Sequence, residues 1–94
     1  MRKEEIIQKI ERAKEKIKSS GAKKIGVFGS AIKGGKNPKD IDILVEFDEV
    51  SFDKYIDLLL FLEKLLKKKV DLVIESNLRP ELNYVKKEAK YVKL

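Results

Sequence analysis

IGVFGSAIKGGKNPKDIDILVEF, residues 25–47, decides how this chain is read. It predicts a strand, a glycine-rich turn, a short polar loop and a second strand. Gly29-Ser30 closes the first apolar run, and Asp40 and Asp42 open the second with one residue between them. Side chains alternate faces along a strand, so residues i and i+2 point the same way. The two carboxylates therefore stand side by side, with Cα atoms about 7 Å apart. Such a pair repels itself unless a cation lies between its members, and a divalent metal fits. Taken alone, the pair is equally a polar strand edge with two solvated aspartates. The turn upstream separates the two readings.

That turn supplies what a triphosphate requires. Gly29 has no Cβ, so the chain turns sharply and a phosphate approaches its N–H. Ser30 offers a hydroxyl and is expected to cap a following helical turn whose free N–H groups attract anions. Lys33 and Lys36 add positive charge, and Gly34-Gly35 closes the turn. Neither GxxxxGK[ST] nor GxGxxG is present. A Gly-Ser turn facing paired aspartates on the next strand resembles the polymerase-β-like nucleotidyltransferase superfamily. Here the pattern reads VFGS, nine residues, then DIDILV.

Composition narrows the chemistry. At 94 residues the chain is expected to form one domain, residues 1–94, with a modest core and room for one site. It contains neither Cys nor His, which excludes disulfides, thiolate or imidazole metal sites, and Ser-His or Cys-His catalysis. Any metal must be hard and oxygen-bound, with Mg²⁺ as the default. No apolar run is long enough for a membrane span, and the basic start leads into an amphipathic segment, so a soluble, cytoplasmic protein is expected. The net charge of +6 favours anionic ligands such as nucleotides.

Around the central stretch, residues 2–19 predict an amphipathic helix through Ile6, Ile7, Ile10, Ala13 and Ile17, with Gly21 as its stop. Lys24 to Phe28 is the first strand and Ile41 to Phe47 the second. In the second, Ile41, Ile43, Val45 and Phe47 face one side and Asp40, Asp42, Leu44 and Glu46 the other. Ser51 is placed to cap a helix from Phe52 to about Lys67. Its stripe is read as Phe52, Tyr55, Ile56, Leu59, Leu62 and Leu66. Leu58, Phe61 and Leu65 fall outside that stripe and are expected to form a partner-docking patch. Val70 to Glu75 is a third strand, with Asp71 interrupting its apolar run. Pro80 opens a last helix through Leu82, Val85, Ala89 and Val92.

The expected fold is α/β (α+β): a small mixed sheet with flanking helices, the first strand pair antiparallel and the second parallel. Nearly the whole chain resembles a minimal nucleotidyltransferase, the MNT partner of HEPN–MNT toxin–antitoxin pairs. That resemblance implies a protein adenylyltransferase that moves AMP from ATP to a tyrosine of a HEPN ribonuclease and silences it. It implies that Asp40, Asp42 and Asp71 hold two Mg²⁺ ions, with Asp71 the candidate to help deprotonate the acceptor. Gly29, Ser30 and Lys33 would grip the triphosphate. The family often reads GS-R-x-R-G, whereas here Ala31 lacks the first guanidinium and Lys33 replaces the second without bidentate reach. Two other readings compete: an antitoxin acting by binding alone, and a small basic nucleic-acid module. The chain lacks an aromatic stacking platform and any zinc or helix-turn-helix signature, so direct nucleic-acid binding is not expected.

Overall fold

Strand β1 (Ala22–Phe28) lies antiparallel to β2 (Asp40–Phe47), with Ile25 opposite Val45, Val27 opposite Ile43 and Phe28 opposite Asp42. The computed structural model describes residues 2–33 and 39–94. Strand β3 (Lys69–Ile74) runs parallel to β2, after the crossover helix α3 (Phe52–Leu66). The order across the sheet is β3-β2-β1-β4, with β4 formed by Lys90–Val92, so β3 is an outer strand.

The alternation predicted along β2 holds. Ile41, Ile43, Val45 and Phe47 are buried on one face with Ile25, Val27, Val70 and Leu72. Helices α1 (Lys3–Arg12), α2 (Lys14–Ser19) and α3 cover this face, bringing Ile6, Ile10 and Ile17 to zero exposure. On the opposite face Leu44 is also fully buried, under Val85 and Ala89 of the C-terminal segment. Leu44 thus divides that face into an exposed carboxylate end and a covered end.

Several boundaries differ from the sequence reading. The single helix over 2–19 is two helices that meet at Ala13, whose ψ is 10°. Nothing in the sequence around Ala13 explains this break. Gly21 does stop the second helix, at a φ of +98° that favours glycine. The last helix is short: α4 (Tyr84–Glu88) ends at Ala89, and β4 (Lys90–Val92) joins the outer edge of β1. Spacings of three and four residues carried Val92 into the helical pattern. In fact Tyr91 pairs with Gly26, and its ring occupies the space where a side chain at 26 would stand.

Helix α3 is rotated from the expected stripe. Ser51 caps it as anticipated, accepting from the Lys54 N–H at 3.2 Å. The buried centre is Leu58, Leu62 and Leu66, at i, i+4 and i+8, flanked by Tyr55, Leu59, Phe61 and Leu65. The docking patch expected at Leu58, Phe61 and Leu65 is therefore corrected: Leu58 is 1% exposed and the other two pack on the core. Phe52, assigned to the buried stripe, is 78% exposed. Apolar residues occupy most of this helix's circumference, so periodicity alone leaves its rotation open. The first turn of the helix lines an open groove with Leu72 and Ile74 of β3, and Phe52 stands there in solvent. No helix among the described residues is long and apolar enough to cross a membrane.

Candidate active site

The end of β1 breaks into a 3₁₀ turn, Gly29–Ala31, because Gly29 takes a φ of +74°. The Gly29 carbonyl accepts from the N–H groups of Ile32 and Lys33 at 3.0 and 3.2 Å. The N–H groups of Gly29, Ser30 and Ala31 have no partner within the turn. Phe28, in extended backbone, is the N-cap position, and Ser30 sits exposed inside the turn. The expectation that Ser30 caps a following turn is thus corrected: the turn already opens at Gly29, which makes Ser30 its second residue.

Gly29 also lies directly against the second strand. A Cβ built there would stand 2.2 Å from Asp42 Oδ2 and 3.1 Å from its Cγ. Turn and carboxylate share one small volume that only glycine permits.

The three carboxylates predicted from sequence lie at one end of one sheet face. Asp42 pairs in register with Asp71 of β3, and Asp40 with Lys69. Asp42 is half-buried, whereas Asp40 and Asp71 are exposed. Burial pushes the Asp42 carboxyl above its ordinary value. The charges of Asp71 and Asp40 add to this, as does a hydrogen bond with Asp71. A carboxylate held up by two like neighbours is a place where a cation would be welcome, and every nearby donor is a hard oxygen. Among the described residues, however, no three carboxylates converge closely enough to enclose an ion as the side chains stand. The set fits Mg²⁺ by donor chemistry and crowding, with side-chain rotation needed to close around it.

Lys33 points elsewhere. Its Nζ pairs with Glu88 Oε2 of α4 at 3.4 Å, with both side chains partly exposed. Gly34, Gly35, Lys36, Asn37 and Pro38 lie outside the described residues.

The site also has neighbours that sequence reasoning missed. The Tyr55 hydroxyl donates to the Leu72 carbonyl on β3. Its pKa is raised, by burial first and by the Asp71 charge second, which places the phenol near the carboxylates. At the covered end of the same face, Glu75 is 9% exposed at the start of a 3₁₀ turn, Glu75–Asn77. It accepts from the Tyr91 hydroxyl at 2.6 Å and from Lys24 Nζ at 3.2 Å, and Lys24 lies 4.6 Å from the centre of the Tyr91 ring. The sequence reading had Glu75 only as the end of a strand. The available signal was a charged residue closing an apolar run; its tyrosine partner stands on a strand that the local pattern does not announce.

The chain as a whole has counterparts among known proteins. A family model described as "Nucleotidyltransferase domain" matches residues 6–93. The chain belongs to this family. Among curated relatives of this nucleotidyltransferase is protein adenylyltransferase MntA of Thermococcus cleftensis, 47% identical over 70% of this chain and 69% of the relative. A provisionally assigned protein adenylyltransferase of Methanocaldococcus jannaschii is 43% identical over 85% of this chain and 77% of the relative. A solved structure provisionally described as a minimal nucleotidyltransferase superposes with a TM-score of 0.82 at 34% identity. It covers 96% of this chain and 95% of that one. The MNT antitoxin–HEPN toxin complex of Shewanella oneidensis, its toxin tri-AMPylated, matches with a TM-score of 0.64 at 24% identity. Here 90% of this chain and 70% of that one are covered, and the likeness is one of fold. The mixed sheet and the family expected from sequence are both borne out.

Proposed function

We propose that this nucleotidyltransferase moves AMP from ATP to a protein hydroxyl, a tyrosine of a HEPN-type ribonuclease, and so acts as an antitoxin. The observation that carries the reading is the contact of the Gly29 turn with Asp42, itself in register with Asp71. Backbone N–H groups that would donate to phosphate and carboxylates that would hold a metal then lie side by side. The protein adenylyltransferase relatives support the choice of AMP and of a protein acceptor.

In the transfer, the acceptor oxygen attacks the α-phosphorus of ATP. The bond from that phosphorus to the bridging oxygen breaks, and pyrophosphate leaves with the electron pair. The N–H groups of the 29–31 turn hold the β- and γ-phosphates, with the Ser30 hydroxyl beside them. Asp71, exposed at the outer strand, takes the proton of the acceptor hydroxyl. Asp40, Asp42 and Asp71 would hold up to two Mg²⁺ ions, which supply positive charge for the attacking oxygen and the leaving pyrophosphate. With no His or Cys in the chain, positioning and charge supply the rate.

The test is incubation of the protein with ATP labelled in its α-phosphate, MgCl₂ and a HEPN protein from the same source organism. Label is expected on a tyrosine of the HEPN chain, located by mass spectrometry. Neutralisation of the ribonuclease with no label transferred and no need for ATP would replace transfer by simple binding.

A further inference from the structure

Lys33 Nζ stands 3.4 Å from Glu88 Oε2 and so links the end of the glycine turn to α4. Both partners are fixed at the backbone. The Lys33 N–H donates to the Gly29 carbonyl at 3.2 Å, which ties this lysine to the turn itself. Glu88 is the last residue of α4, whose Val85 and following Ala89 sit on Leu44 of β2 and pack with Phe28 at the end of β1.

The local helix does not explain an acid at this position. Near a helix C-terminus a carboxylate has the wrong sign for the free carbonyls. Glu88 is also the one acid in KKEAKYVK, residues 86–93. Lys86 lies two residues earlier, about 200° around the helix, and its charge acts on Glu75 at the covered end of the sheet face. The helix therefore turns a lysine toward the covered end and its single acid toward the glycine turn.

The pair itself is weak. Side-chain exposures of 62% and 39% put it among surface ion pairs, which contribute little and are screened by salt. Ammonium contacts with phosphate oxygens are charge-assisted and stronger. Lys33 is a point charge on a flexible four-carbon stem, so it can turn from one anion to another while its backbone stays on Gly29.

We propose that Glu88 is a positioning residue that competes with the triphosphate for Lys33. Lys33 passes from Glu88 to the β- and γ-phosphates as ATP binds, and returns to Glu88 as pyrophosphate leaves. Glu88 thus loosens the hold on both polyphosphates and eases product release. This rests on the transfer reading above, in which the phosphates lie at the 29–31 turn, and adds the residue that tunes their binding.

Calorimetry of Mg-ATP binding to the wild type, Glu88→Gln, Lys33→Gln and the double variant tests it. Both positions are partly exposed, and Tm checks that each variant folds. Glu88→Gln is expected to tighten binding about two- to five-fold, the range of a surface ion pair, and Lys33→Gln to weaken it. In the Lys33→Gln background, Glu88→Gln should change nothing. Unchanged or weaker binding by Glu88→Gln overturns the competition, as does an affinity that Lys33→Gln leaves unmoved. An equal gain in both backgrounds also overturns it, because Glu88 then repels the phosphates without Lys33. A wild type that binds no Mg-ATP overturns both this and the transfer reading. One that shows the expected cycle but labels no tyrosine of the HEPN chain overturns the transfer reading alone.

Discussion

Gly29 and Asp42 touch so closely that no other residue fits at 29: a Cβ there would lie 2.2 Å from Asp42 Oδ2. Gly29→Ala is therefore expected to displace the Asp42 carboxylate as well as to strain a φ of +74°. The backbone cost alone is about 1 kcal/mol. AMP transfer should fall by ~100-fold or more while the fold survives. Kinetics on the labelled acceptor, with a Tm for each protein, check this.

The crowding of Asp42 sets a pH dependence. Its folded pKa is raised above 3.8, by burial and then by Asp71 and Asp40. A raised acid contributes stability that is fully present below 3.8 and is lost as pH rises through the folded value. The Tm of the metal-free protein should accordingly fall across that interval, and Asp42→Asn should abolish this part of the fall. At neutral pH, MgCl₂ should raise the Tm of the wild type and leave the variant nearly unmoved. Melting curves at several pH values, with and without MgCl₂, decide it.

Glu75 carries the opposite sign. Burial pushes its pKa up, but the Tyr91 hydroxyl and Lys24, with Lys86 adding charge, hold it below 4.5. Its stabilising contribution is present above 4.5 and lost as pH falls through the folded value. Glu75→Ala should cost about 1–3 kcal/mol by leaving Tyr91 and Lys24 unpaired. Because Lys24 lies four residues along β1 from Phe28, the partner of Asp42, transfer by the folded fraction should not change. Urea denaturation together with the transfer rate separates the two effects.

Gly26 makes room for Tyr91, since a Cβ at 26 would meet Tyr91 Cδ1 at 2.8 Å. Gly26→Ala should destabilise by about 1–3 kcal/mol through overpacking. In a Tyr91→Ala background the same substitution should cost less, because the clash is gone. A double-mutant cycle by denaturation measures the coupling directly.

Much of this molecule was legible before folding. The alternation from Asp40 to Phe47 assigned both faces of β2, and Leu44 is buried among the polar residues as its position implied. The Gly29 turn was readable because its positive φ and its contact with Asp42 require glycine. Three things were not. The rotation of α3 was hidden because Leu, Ile and Phe occupy nearly all its sides, so Leu58 and Phe52 exchanged roles. Strand β4 was hidden because Val92 continues a helical spacing while its partner is Ile25 and that of Tyr91 is Gly26, a long-range pairing. The Lys33–Glu88 pair joins residues 55 positions apart, and no local pattern announces it.

Asp42→Asn bears most directly on the three-carboxylate site, because it keeps the shape of the side chain and removes its charge. The measurement is labelled AMP transferred to the HEPN acceptor, with thermal unfolding run alongside. Transfer reduced by ~100-fold or more, with a Tm equal to or above that of the wild type, is the expected result. Transfer at the wild-type rate by the folded variant would contradict the assignment of Asp42 to the reaction.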